Sequence, residues 1–131
     1  AQVAHIAAAI ADNRAGLASL NDAGAWVHVR SLPLLDVRGP DGIVLARALD
    51  HLYLSTRSSG VMTVVNLSFG GDGAPTDELV AAIGRLVDAG VLVVAAAGND
   101  GPFGDASDQW PANVPGVLVV GAVDPGGKRW K

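Results

Sequence analysis

Three apolar runs constrain this chain more than anything else in it: "VMTVVNLSF" (61 to 69), "VLVVAAA" (91 to 97) and "VLVVGAV" (117 to 123). Each is short, rich in valine and continuous rather than alternating, and the first two run straight into glycine. Such runs read as strands covered on both faces, which in a sheet calls for helices above and below. The segment between the first two, "TDELVAAIGRLVDAG" (76 to 90), has helical spacing, with Leu79, Ile83, Leu86 and Val87 on one stripe. Thr76 is placed to cap it, Asp77 and Glu78 sit in its positive first turn, and Gly90 falls just past its end. The pattern predicts an α/β fold: a three-layer parallel sheet of about four strands with helices on both faces.

The remaining segments complete that reading. Val3 to Ala11 is alanine-rich with Ile6 and Ile10 four apart, predicting a short helix. "AWVHVRSLPLL" (25 to 35) predicts a strand from about Trp26 to Leu32, with Pro33 limiting its ladder. Asp41 is placed to cap a helix carrying Ile43, Ala46, Leu49 and Tyr53 and ending in "STRSSG". Gly98 to Gly116 is rich in Gly, Pro, Asp and Asn with no helical pattern, and loops of that length are usually functional or disordered. In an open parallel sheet, ligands bind beyond the carboxyl ends of the strands, the edge where both "SFGG" and "GNDG" fall.

Composition narrows the function classes. A chain of 131 residues fits one domain, and with half its residues apolar and 17% charged, some apolar surface should meet a partner or further chain. Its net charge is -4 and its nine Lys and Arg are scattered apart from Lys128, Arg129 and Lys131, which argues against nucleic acid. The absence of cysteine excludes disulfides, thiolate metal sites and a Cys nucleophile, and leaves the compartment open. No apolar stretch reaches the roughly 18 residues of a membrane helix, so no membrane partner is expected. "AQVAHIAAAIADNRAG" lacks a basic leader and an initiator Met, as expected of the interior of a longer protein. Neither G-x-G-x-x-G nor G-x-x-x-x-G-K-[ST] occurs. His5, His28 and His51 show no metal-ligand spacing; the acids of "DNRAGLASLND" and "GNDGPFGDASD" could coordinate calcium through loop oxygens, but without a twelve-residue calcium loop they read as solvated loop acids, so no metal site is assigned.

Asn99, in "AAAGNDG", has two readings. Asn and Gly tolerate left-handed backbone, so the stretch reads as a plain turn. The order of the other pieces favours a second reading. "VAHIAAAIAD", "VVNLSFGG", "VVAAAGNDG" and "PANVPGVLVVGAVD" together resemble the central part of the subtilisin-like serine peptidases, the subtilase family. The corresponding family signatures are H-G-T-H-V-A-G on a helix, I-N-x-S-L-G-G, A-A-G-N and P-A-x-x-P-x-V-I-x-V-G-A. The resemblance runs over essentially the whole chain and is more specific in its second half.

That resemblance implies a partial subtilisin-like fold and peptide-bond hydrolysis. It makes Asn99 the oxyanion-hole asparagine. Ser68, Phe69 and Gly70 match the segment that pairs with the substrate backbone and walls its primary pocket, and Ala97 and Gly98 match the opposite wall. Phe69 stands where the family usually has Leu. Trp110-Pro111 matches an aromatic-proline pair that is cis in the family. The implied partners are an extended peptide or protein substrate and the remainder of the catalytic domain, with no side-chain preference suggested beyond apolar. No cofactor is implied by the residues, while family resemblance admits a structural calcium. Family members are often secreted.

The departures bear on activity. The first His of H-G-T-H is the general base, and that tetrapeptide aligns with "QVAH", placing Gln2 at the base position and His5 at the second, structural His. Gln cannot accept and return a proton near neutral pH, so the relay that activates serine cannot run through it. A register shift of three residues would make His5 the base instead. The family's nucleophilic Ser belongs to a G-T-S-M-A helix start expected beyond Lys131, and its Asp to an earlier strand. The family's "GVAP" is replaced by "LNDA". The expectation is a single partial domain over residues 1 to 131, inactive as an isolated chain, or alternatively a peptide-binding pseudo-peptidase using the strand edge at Ser68 to Gly70. With the Asp-bearing strand missing, the strands over 26 to 32 and 61 to 68 must pair directly or leave backbone groups unpaired.

Overall fold

The computed structural model describes residues 2–9, 27–32, 34, 41–99 and 106–130, without the side chains of Gln2 and His5. The chain divides into two compact units, Ala1–Pro33 and Leu34–Lys131. In the first, helix α1 spans Gln2–Ala8, a little shorter than the spacing predicts, and Val3 and Ile6 on it are exposed. Residues 27–32 form no strand, which corrects the strand predicted over 26 to 32. The physical reason is pairing. A β-prone run becomes a strand only with a ladder partner, and this one has none among the described residues, so Val27 and Val29 stay exposed.

The second unit carries the α/β core. Helix α2 spans Gly42–Thr56, strand β1 Val64–Leu67, β2 Gly71–Asp72, helix α3 Asp77–Asp88, β3 Leu92–Ala96, β4 Gln109–Trp110 and β5 Leu118–Val120. β1, β3 and β5 form a parallel sheet in the order β1-β3-β5, and β2 and β4 make a separate antiparallel pair.

Both long helices start where the sequence places their caps. Asp41 Oδ1 accepts from the amides of Ile43 at 2.8 Å and Val44 at 3.3 Å. Thr76 Oγ1 accepts from the Leu79 amide at 3.3 Å. α3 ends in paired carbonyl caps, the Gly90 amide donating to Val87 O at 2.9 Å and the Val91 amide to Leu86 O at 3.0 Å, which turn the chain directly into β3. Thr76→Ala should lower stability by about 1 kcal/mol, read as a shift in the urea midpoint, with Thr76→Ser near wild type.

The core lies between the helices and one face of the sheet. Leu79, Ala82, Ile83 and Leu86 of α3 are buried with Leu45, Ala46 and Leu49 of α2 and with Val65, Leu67, Val93 and Ala95 of the strands. On α2 the buried stripe runs through Leu45 rather than Ile43, which is exposed. Arg85 Nε donates to Asp50 Oδ1 at 3.1 Å, tying α3 to α2 at the surface. Such an exposed pair contributes little stability. The other sheet face presents Val64, Leu92, Leu118 and Val120, each roughly half exposed. The continuous apolar runs thus meet helices on one face within this unit, and the opposite face is bare among the described residues.

Candidate functional site

β1 and β3 run parallel with Leu67 opposite Ala95, so the chain leaves both strands at the same sheet edge. Ser68, Phe69 and Gly70 follow β1, and Ala97, Gly98 and Asn99 follow β3. Ser68 is exposed, its Oγ accepting from Asn66 Nδ2 at 2.8 Å. Phe69 is half-buried and packs against the core, which anchors the segment. The Ala97 amide donates to Val120 O at 3.0 Å, holding the second segment to β5. Gly98 then takes a φ of 90°, turning the backbone so that Asn99 is exposed at the mouth of the strand.

A third segment meets both. A Cβ on Gly98 would collide with the Gln109 carboxamide, and one on Gly70 would collide with the Trp110 carbonyl oxygen. The Trp110 indole covers Gly71, where a Cβ would lie 2.7 Å from the ring. β4 is held in this position by its pairing with β2, Gly71 opposite Trp110 and Asp72 opposite Gln109. Gln109 Nε2 donates to Asp72 Oδ1 at 3.3 Å, and the Gly73 amide donates to Asp108 O at 2.7 Å. Asn113 Nδ2 donates to Gly73 O at 3.1 Å and Ser107 O at 3.2 Å, pinning the loop behind β4. The Trp110-Pro111 bond is cis, as the resemblance implies, and Pro111 is fully buried.

Three stretches separated by tens of residues therefore converge on one edge: an extended segment after β1, a glycine-asparagine turn after β3, and the β4 dipeptide against both. A subtilase model of peptidase S8 matches residues 1–130. The chain belongs to the subtilase family. It is 34% identical over 130 residues to an extracellular basic protease of Dichelobacter nodosus, covering 97% of this chain and 21% of that protein. It is 39% identical over 72 residues to subtilisin E of Bacillus subtilis (strain 168), covering 54% of this chain and 19% of the relative. Among solved structures, the S41 psychrophilic protease superposes with a TM-score of 0.61 at 28% identity, over 69% of this chain and 28% of that one. Sphericase superposes with a TM-score of 0.59 at 26% identity, over 70% and 30%. This subtilase chain thus spans about a fifth of the length of these two curated relatives.

The predicted site residues fall into two groups. Ser68, Phe69, Gly70, Ala97, Gly98 and Asn99 come together at the sheet edge. Gln2 and His5 both lie on α1, in the other unit, and their side chains lie outside the described residues. Asp100 and the loop acid Asp105 also lie outside. Among the described residues there is no group of three or more His, Asp or Glu that could hold a metal ion. No described helix is long and apolar enough to cross a membrane. Sequence reasoning singled out Trp110-Pro111 but passed over Gln109 and Asp72. A polar residue directly before the aromatic-proline pair was the available signal, and its partner is visible only in the β2-β4 register.

Proposed function

We propose that this chain supplies the substrate-binding edge and the oxyanion donor of a subtilisin-like serine endopeptidase, and that it is inactive as an isolated chain. Ser68 to Gly70 pairs with the backbone of an extended peptide. Ala97 and Gly98 form the facing wall of its primary pocket. Asn99 donates from its carboxamide to the oxygen that gains negative charge when the peptide carbonyl is attacked. A neutral amide suits that role because it stabilises the charge without itself ionising. The observation that carries the reading is the convergence of these segments at the carboxyl edge of one parallel sheet. On this reading the remainder of a catalytic domain covers the bare sheet face and brings the nucleophile to Asn99.

The inactivity rests on Gln2. An amide at the base position cannot take the serine proton, and that same substitution favours a second reading, a pseudo-peptidase that binds extended peptides through the β1 edge by strand addition. Incubation with a fluorophosphonate serine probe should leave the chain unlabelled; covalent labelling would overturn the inactive assignment. Both readings require peptide binding at the edge, which Phe69→Lys should abolish. Where the chain is joined to a nucleophilic serine and Gln2 is replaced by His, Asn99→Ala should lower kcat with little change in KM. A drop on the order of 10²–10³-fold is the magnitude known for a subtilisin asparagine, taken over here from that relative. Unchanged kcat would remove the oxyanion role, and the pseudo-peptidase reading requires that no turnover appear while Gln2 is in place.

A further inference from the structure

Beside Gly98 at the sheet edge lies a pair of polar side chains, Gln109 and Asp72. Gln109 and Asp72 are opposite residues of an antiparallel pair, so their side chains share one face, and Gln109 Nε2 donates to Asp72 Oδ1 at 3.3 Å. The Gln109 carboxamide lies against Gly98, filling the space a side chain there would take. The Trp110 ring is turned onto Gly71. The surface facing the Gly98 wall is therefore an amide braced by a carboxylate.

Charge points the same way. From Ser58 to Gly127 the sequence carries eight acids and a single basic residue, Arg85, and the Arg85 guanidinium is engaged with Asp50. Asp72 is exposed and takes part in no ion pair among the described residues. Asp72 thus brings to the edge a carboxylate that no cation pairs with among the described residues, and such a charge attracts the opposite sign.

We propose that Gln109 and Asp72 set the preference of the primary pocket, and that it takes a cationic side chain, lysine or arginine, in place of a large apolar one. The inference rests on the peptide-binding edge proposed above. The ammonium or guanidinium supplies donors to the Asp72 carboxylate, while the amide of Gln109 shortens the space an aromatic ring needs.

The test is fluorescence anisotropy with two labelled N-acyl tetrapeptide amides that differ only in a C-terminal Lys or Phe. The Lys peptide should bind at least about tenfold tighter at low salt. Asp72→Asn, an isosteric change at an exposed site, should erase that difference. Asp88→Asn, which removes the same net charge at the end of α3, should leave it intact. Binding of Phe as tightly as Lys, or a Lys preference that survives Asp72→Asn, overturns this inference and leaves the edge assignment standing. Binding of neither peptide overturns both.

Discussion

Gly98→Ala is expected to be among the most damaging single substitutions in this chain. Two separable effects act there. The backbone sits at a φ of 90°, and holding a residue with a side chain in that region costs about 1–3 kcal/mol. The added methyl also meets the Gln109 carboxamide, the end of a flexible side chain that can swing aside by giving up its hydrogen bond to Asp72, which costs a further about 0.5–1.5 kcal/mol. Gly73→Ala separates the two, because its φ of 89° is nearly the same but a Cβ there meets nothing within 4 Å. Urea unfolding of both variants should show Gly98→Ala the more destabilised by the steric part alone. Equal midpoints would mean that Gln109 does not pack on Gly98, and the pocket preference argued from that contact would fall with it.

Ile83→Ala should lower stability by about 2–5 kcal/mol. Ile83 is 0% exposed, on the α3 face that packs between α2 and the sheet. Removing its branched end leaves a cavity walled by a helix on one side and strands on the other, neither able to move in without giving up other contacts. Val80, on the same helix but 37% exposed, is the control, and Val80→Ala should fall within about half a kcal/mol of wild type. Equilibrium denaturation reads both. A cost for Ile83→Ala below about 1 kcal/mol would mean that α3 does not seal the core.

These substitutions also mark how far the sequence could be read. α3 was legible almost to the residue, because its cap, acidic first turn, apolar stripe and terminal glycine are local signals acting within a few turns. The valine-rich runs gave β1, β3 and β5 for a related reason, since few other elements bury a short continuous apolar run. Residues 27–32 show the limit: their β-prone composition matches that of the strands, but strand formation depends on a partner that local sequence does not name. α2 shows it on a smaller scale. Ile43 and Leu45 are both apolar, and only the position of α3 decides that Leu45 faces inward.

The site divides in the same way. Asn99, Gly98 and the "SFGG" segment stood out in the sequence because residues that end a buried strand in glycine and a carboxamide are few, and because their order matched the subtilase signatures. That order by itself determined the family and the edge of the sheet at which these residues fall. What only the tertiary structure decided is what lies behind that edge. Gln109 and Asp72 stand 37 positions apart, and their hydrogen bond exists because an antiparallel register sets them on one face. A pairing between distant segments is fixed by packing of the whole sheet edge, which no local propensity encodes.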